Sequence, residues 1–454
     1  MTKGRRHELK LSLLYWFAAP NFALSIMHMP VLMILPAYYA KSTQTSLAAI
    51  GTILLFGRLF DAVTDPLVGF WSDRTYSRIG SRKPWIMAGI PLACVATIYL
   101  FTPAATAGAT YFLIWSILLF SAWTLIDIPY IAWGAELSRD YNERSRIMTI
   151  RGTVGFVGSF LFMASPILLA PWTGSTEIGA EALEISAWLI AITLPLFMGM
   201  ALILVPPGTK VAIRKTSAKS LVAALRINKP LRFYSVVQFA GGVAAGSWGA
   251  TVLLFCDSIN LGDKFPFLLL AAWGTRICVA PLWLKLIYRF GKHHVWALGS
   301  ALSAVITPLA LLAEPGENTI YLILVYAVIL GFVETAWMVT PRAIYGDIID
   351  YDALKTGADQ AGTYFALSGL IDKAATAVGG GLAFYILSLM DYDVAGANND
   401  QQLWALYLSF GILPAIIYLG VGIAMRKFPL DARRHSIIRR RIESRARRQQ
   451  ETMD

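Results

Sequence analysis

The sequence is poor in the residues that build metal sites, disulfide frameworks and most catalytic centres. Its 454 residues include three cysteines and five histidines. Cys94, Cys256 and Cys278 lie in apolar runs without CxxC or metal-ligand spacing, which argues against disulfides and zinc and favours small packing residues. No Ser/His/Asp or Cys/His arrangement is present, so an enzyme is the least favoured class.

Charged residues are also scarce. They make up 15% of the chain against 56% hydrophobic residues, a composition typical of a multi-pass membrane protein. The first apolar run, from near Leu11, is too long for a signal peptide. Much of the net charge of +11 lies in the tail from Arg426 onward, and no element that reads bases accompanies it. The expected partners are therefore anionic membrane lipids and no nucleic acid.

Twelve apolar runs are long enough to span a bilayer. They cover residues 11–39, 46–70, 84–104, 110–135, 147–171, 185–205, 231–257, 265–288, 295–313, 319–346, 361–390 and 402–425. The connecting loops alternate between basic and acidic, which predicts an inner-membrane protein with both termini in the cytoplasm. The longest basic loop divides the chain into a six-helix half (1–208), an inter-half loop (209–230), a second six-helix half (231–425) and a basic tail (426–454).

The two halves carry similar features at corresponding places. GFWSDRTYSRIGSRKPW follows the second span and YRFGKHHVW follows the eighth. Pro129 and Glu136 end the fourth span, as Pro341 and Asp347 end the tenth. Two similar halves with a site between them are the pattern of an alternating-access transporter.

The second span contains three charged residues in an otherwise apolar run. Arg58, Asp61 and Asp65 are spaced i, i+3 and i+7, so they share one helix face. Each unpartnered charge at the membrane centre costs about 2.5 kcal/mol or more. A coupling-ion site, for a hard cation or a proton, is favoured over a structural ion-pair network, because ionisable residues inside the membrane are functional by default.

Other spans add buried polar groups that could complete a site. Thr124 and Asp127 are one turn apart in the fourth span, Arg151 opens the fifth, and Lys373 lies in the eleventh. Together with the second span, these residues bring three carboxylates against three cations, a cluster that is neutral when empty. An arriving cation would change that balance.

Two further sets have structural and functional interpretations. Arg276 and Glu334 could form a buried pair in the second half, with a structural or a substrate role. Several aromatic residues could stack on a sugar or line helix seams: Trp123, Tyr130, Trp337 and Tyr364. Gly152, Gly155 and Gly158 follow no strand and therefore predict close helix packing rather than a phosphate loop.

The loop between the second and third spans is the most specific motif. It carries a charged set that could latch onto helix ends of the partner half: Asp73, Arg74, Arg78, Gly80, Arg82 and Lys83. A merely basic inner loop would explain the cations but not Asp73 or Gly80. The loop resembles the signature of the major facilitator superfamily, which implies that fold.

The motifs RLFDAVTDP, SDRTYSRIGSRKPWI, LIDIPY and YGDIIDYDALKTG together resemble the glycoside-pentoside-hexuronide:cation symporters, the family of the melibiose permease. The similarity runs over all twelve spans. It implies a cation site formed by Asp61, Asp65, Thr64 and Thr124. Coupling or gating roles are expected for Arg58 of the second span and for the loop residues Asp73, Arg74, Arg82 and Lys83.

The resemblance also implies which residues bind the solute. These are Asn21, Trp123, Asp127, Arg151, Trp337 and Lys373. Asn21 stands where the permease has an aspartate, and Ile131 where it has a stacking tryptophan, so a galactoside is doubtful.

The expected protein is thus a monomeric symporter of a small organic solute, a glycoside or related sugar, without a cofactor and driven by Na⁺ or H⁺. Asp61 and Asp65 would be the metal ligands if the ion is Na⁺. A lysolipid transporter of the same fold is the first alternative, and a non-transporting sensor or structural protein is the second.

Overall fold

The computed structural model describes residues 9–138, 141–208, 225–226, 228–356, 361–394, 398–430, 434–438, 440–441 and 444. Within these residues every regular element is a helix. Eleven described helices are long and apolar enough to cross a membrane, and a bent pair, Leu11–Val31 with Leu35–Ser42, makes a twelfth span. The predicted all-α fold with twelve spans is confirmed.

The first span is broken into three pieces, α1 (Leu11–Ala18), α2 (Pro20–Met33) and α3 (Leu35–Ser42). Pro20 and Pro36 lie in the first turns of α2 and α3, where a missing N–H costs little, and Pro30 lies inside α2. The next spans are continuous helices: α4 (Leu47–Arg74), α5 (Lys83–Phe101), α6 (Ala109–Glu136), α7 (Tyr141–Thr173) and α8 (Ala180–Leu204).

The later spans follow the same pattern of long helices. They are α9 (Lys229–Ser258), α10 (Phe265–Phe290), α11 (Lys292–Ile306), α12 (Thr319–Thr356), α13 (Ala361–Leu389) and a last span made of α14 (Asp400–Tyr407), a π-helical turn (Leu408–Ile412) and α15 (Leu413–Met425). α4, α7 and α12 extend beyond the predicted runs, because hydropathy detects only the apolar part of a helix.

The helices fall into two compact units, most of the chain up to residue 208 forming one and most of the chain from residue 225 the other. In the first unit α2 packs on α7 and α8, and α5 packs on α6 and α8. In the second, α9 packs on α13 and α15, and α11 packs on α12 and α15. Equivalent spans therefore pair in both units, as an internal repeat requires. The exact boundaries stay predictions, and residues 209–224 and 227 of the inter-half loop lie outside the described residues.

Candidate functional site

The charged face of α4 lies against α6. Asp61 is 1% exposed, and its Oδ2 is 3.5 Å from the Arg58 guanidinium, which lies over the Phe120 ring. The Thr124 hydroxyl of α6 donates a 2.8 Å hydrogen bond to Asp65 Oδ1. Arg58 therefore offsets the charge of one carboxylate of its own helix face.

Thr64 stands between the two aspartates on the same helix. Its hydroxyl donates to the Phe60 carbonyl at 3.0 Å, so it satisfies its own helix. A hydroxyl that donates one hydrogen bond keeps lone pairs on its oxygen, and these can coordinate a cation. The described residues contain no group of three or more His, Cys, Asp or Glu side chains that could hold a metal ion. The four oxygen-bearing residues Asp61, Thr64, Asp65 and Thr124 thus offer hard ligands, and their ion-binding role stays a prediction.

A second set of polar contacts continues from α6 to the neighbouring spans. Asp127, one turn beyond Thr124, pairs with Arg151 of α7 at 2.6 Å. The Arg151 guanidinium lies 4.8 Å from the centre of the Tyr130 ring. The backbone carbonyl of Arg151 accepts a 3.0 Å hydrogen bond from the side-chain amide of Asn21 in α2. Polar contacts and short helical steps therefore run without a break from α4 through α6 and α7 to α2.

Glycines bring these helices close enough for such contacts. A Cβ on Gly57 would lie 2.3 Å from the Phe120 ring, so its absence lets α6 approach α4. A Cβ on Gly155 or Gly158 would collide with α2, at 2.1 Å from the Asn21 amide and 2.4 Å from the Phe22 carbonyl oxygen. The predicted packing role is confirmed for these two residues and is wrong for Gly152, which faces open space among the described residues.

The first unit holds an excess of one negative charge at this place. Asp61, Asp65 and Asp127 bring three carboxylates, and Arg58 with Arg151 brings two guanidinium groups. A monovalent cation would neutralise the ionised set. The sixth member of the neutral cluster expected from the sequence, Lys373, belongs to the second unit, so its part in that balance stays a prediction.

The predicted aromatic residues of the first unit have different surroundings. Trp123 stacks on His28 of α2, with ring centres 4.7 Å apart and planes inclined by 30°. Tyr130 is fully buried, and its hydroxyl donates to the Phe17 carbonyl. Tyr130 therefore fits a structural role, whereas Trp123 lies one helical turn before Asp127 on the same face of α6. Sequence patterns do not predict the contact with His28, because that residue stands alone in its span.

The second unit contains the other predicted solute residues. Trp337 of α12 lies against Gly241, and no acceptor among the described residues pairs with its buried indole Nε1. Lys373 follows Asp372, whose carboxylate accepts a 2.6 Å bond from Gln238 of α9. Gln238 is a residue that the sequence patterns missed.

Two more predictions of the second unit have clear outcomes. Tyr364 is fully buried and accepts a 3.0 Å bond from Asn228, which places it in the core rather than on a solute surface.

Arg276 of α10 forms an ion pair with Glu334 of α12. The predicted pair is confirmed, and its role stays open between packing and solute binding.

Arg82 organises the charged loop from a buried position. Its guanidinium donates to Glu136 Oε1 at 2.8 and 2.9 Å and to the Ser72 hydroxyl at 2.8 Å, and it also pairs with Asp73. These bonds join the ends of α4, α5 and α6 within the first unit. The sequence pattern marks Glu136 only as a repeat feature and does not predict its ion pair with Arg82.

Lys83 and Arg74 bind nearby groups of the same unit. The Lys83 ammonium donates to the last carbonyls of α8, those of Leu202 and Val205, at 2.6 and 2.7 Å. Arg74 folds back on its own helix and donates to the Phe70 carbonyl at 3.3 Å. The expected contact of this loop with the partner half stays a prediction.

The second unit repeats the arrangement with other residues. The Lys292 ammonium, at the start of α11, donates to Asp347 of α12 at 2.6 Å. Gly80 and Gly291, which precede the third and ninth spans, both have positive φ, at 104° and 85°. The weak sequence similarity of the two loops thus corresponds to a shared turn and an equivalent ion pair.

Residues 16–432 match a protein family described as MFS/sugar transport protein. The chain belongs to this family. It is therefore a membrane transporter of the major facilitator superfamily and not an enzyme, as the motifs had indicated.

Three relatives that match over most of their length are named as symporters or transporters, and two of the names include a solute. The inner membrane symporter YicJ of Escherichia coli (strain K12) is 26% identical over 84% of this chain and 83% of its own. The isoprimeverose transporter of Lactiplantibacillus pentosus is 22% identical over 91% and 88%. The sodium-dependent lysophosphatidylcholine symporter 1 of Mus musculus is 25% identical over 84% and 78%.

A solved structure agrees with the fold. The nucleoside transporter NupG superposes with a TM-score of 0.64 at 14% identity, covering 92% of this chain and 99% of its own. At that identity the likeness supports the major facilitator fold and no particular solute.

Proposed function

We propose that the protein is a symporter that couples the inward flow of one monovalent cation to the uptake of a glycoside or a related sugar. The hydrogen bond between Thr124 and Asp65 carries this proposal. Asp65 belongs to the ion-binding face of α4, and Thr124 lies one turn from Asp127, a solute residue. An ion that reorders Asp65 therefore also moves the helix that presents Asp127.

The ion would bind between Asp61 and Asp65 with the hydroxyls of Thr64 and Thr124. Its charge offsets the excess negative charge of the first unit, which fixes the Asp127–Arg151 pair for solute hydroxyls. Asn21 and Trp123 complete this part of the solute site, and the second unit contributes Trp337 and Lys373. Alternating access follows the family fold, with Arg58, Asp73, Arg74, Arg82 and Lys83 in coupling and gating roles.

The sugar assignment is supported by the family description and by the name of the isoprimeverose transporter. A ring of hydroxyls suits an Asp–Arg pair beside aromatic faces. The second candidate is a lysolipid, which the lysophosphatidylcholine symporters favour. Ligand-induced thermal stabilisation separates them: sugars raise the melting temperature under the first proposal, and lysolipids under the second.

The multi-pass chain would lie in a cell inner membrane as a monomer, with both termini in the cytoplasm. The basic loops after the second, fourth, sixth and eighth spans support that orientation. Cysteine labelling of the loops from either side of sealed vesicles would check it.

Uptake into proteoliposomes tests the function. With an inward Na⁺ gradient or an inward H⁺ gradient, a transported sugar should accumulate against its own gradient, and the active gradient identifies the ion. Asp61→Asn and Asp65→Asn should each abolish this accumulation while the purified protein still folds. Asp263→Asn, at an exposed carboxylate paired with Lys264, is the matched control and should accumulate normally. Full accumulation by either site variant would refute the proposal.

A further inference from the structure

A cavity of about 780 Å³ lies in the second unit, away from the residues proposed for ion and solute binding. It is within the size range of small-molecule sites. Its walls come from the ends of three spans and from the tail. Lys229 begins α9, Lys355 lies near the end of α12, and Leu430 follows α15.

The position of the cavity places it at a membrane surface. The seventh span begins here, while the tenth and twelfth end here, and alternating spans bring these three ends to one side of the bilayer. This is the cytoplasmic side in the proposed orientation. The tail is held against α12, since His435 Nε2 lies 2.9 Å from Asp350 Oδ2.

The lining combines positive charge with apolar surface. None of the described lining residues is acidic. Four of them are basic: Lys229, Lys355, Arg434 and Arg441. The Arg434 guanidinium donates to the Pro429 carbonyl at 2.6 Å. Leu430 and Ile438, 5% and 7% exposed, form part of the apolar wall.

An occupant of matching chemistry has an anionic group next to a hydrocarbon part. Basic pockets at the cytoplasmic ends of membrane helices hold lipid head groups by this means. A free phosphate would use the cations but leave the apolar wall in water. We propose that this cavity binds an anionic phospholipid of the inner leaflet, with its phosphate between Arg434 and Arg441 and its glycerol and upper acyl carbons against Leu430 and Ile438.

Native mass spectrometry of the full-length protein, purified with phosphatidylglycerol, tests this proposal. The pocket variant Arg434→Gln/Arg441→Gln is compared with Lys427→Gln/Arg440→Gln, which removes the same charge from the same segment at exposed residues outside the cavity. The pocket variant should bind phosphatidylglycerol at least about tenfold more weakly. The control should stay within about twofold of the unaltered protein, and phosphatidylcholine should not be retained by any of the three.

Each other outcome overturns the site. Equal losses in both variants would mean diffuse attraction of the tail to an anionic surface, and no loss in the pocket variant would mean that lipid binds elsewhere. Displacement of the lipid by millimolar inorganic phosphate would mean a small-anion site. The charge-preserving variant Arg434→Lys/Arg441→Lys should retain at least half of the lipid. This result would show that the glutamine variant loses lipid because it lacks the two charges and not because its tail is misfolded. Sugar uptake does not enter these measurements.

Discussion

At the residue scale, the hydroxyl of Thr124 joins the proposed ion site to the helix that carries the proposed solute residue Asp127. It donates to one carboxylate of the α4 face, and its own helix carries the carboxylate that pairs with Arg151. Hydrogen bonds to charged groups contribute about 1.5–3 kcal/mol. One hydroxyl is therefore sufficient to change ion affinity measurably.

Thr124→Val removes this hydroxyl at nearly constant volume. The concentration of coupling ion that gives half-maximal uptake should rise about tenfold, which is roughly one hydrogen bond to a charged acceptor. Ion-dependent uptake into proteoliposomes measures this change. Thr124→Ser keeps the hydroxyl and should stay within about threefold of the unaltered protein. An unchanged ion dependence in the valine variant would mean that the hydroxyl is no part of the ion site.

The contact between α4 and α6 is decided at the scale of elements by one small residue. The Phe120 ring occupies the space that a Cβ on Gly57 would need. A Cβ on Gly69 of the same helix would have its nearest neighbour, Ile128, at an ordinary contact distance of 3.7 Å. The two glycines therefore differ in the packing that they allow, although both stand in similar apolar sequence.

Gly57→Ala should lower the free energy of unfolding by about 1–3 kcal/mol, because the Phe120 ring must move out of its place. The movement also separates Thr124 from Asp65, so stabilisation of the protein by the coupling ion should be lost. Thermal unfolding with and without the ion measures both effects. Gly69→Ala should have neither effect. Equal behaviour of the two variants would show that the close approach of α6 to α4 does not depend on Gly57.

At the scale of the whole molecule, coupling is a free energy shared between two ligands. If the ion improves binding of the solute by some factor, the solute must improve binding of the ion by the same factor. The excess negative charge and the contacts from α4 to α2 supply a physical reason for a positive sign.

The two factors should agree within error and lie between about 5 and 150, the usual range of coupling energies. Calorimetric titration of solute with and without ion, and of ion with and without solute, gives both. In Asp65→Asn the solute should still bind, and its affinity should no longer depend on the ion. A solute affinity that is independent of the ion in the unaltered protein would contradict coupling through this site.

The sequence by itself determined the number of spans, the family and the charged face of α4. Twenty apolar residues can satisfy their backbone only as a helix in lipid, and an i, i+3, i+7 spacing fixes a face whatever the surroundings. Pairing between helices was not encoded in such local patterns. The contacts of Arg82 with Glu136, Gln238 with Asp372 and Trp123 with His28 depend on which spans approach each other.

Tertiary structure also decided which glycines pack, which aromatic residues are core, and that the tail forms a basic cavity. Gly152 and Gly155 are one turn apart in the same motif, yet within the described part of the chain only Gly155 meets another helix. The physical reason is that local periodicity sets the direction of a side chain along its own helix, whereas the identity of its neighbour follows from the packing of all the helices in its unit.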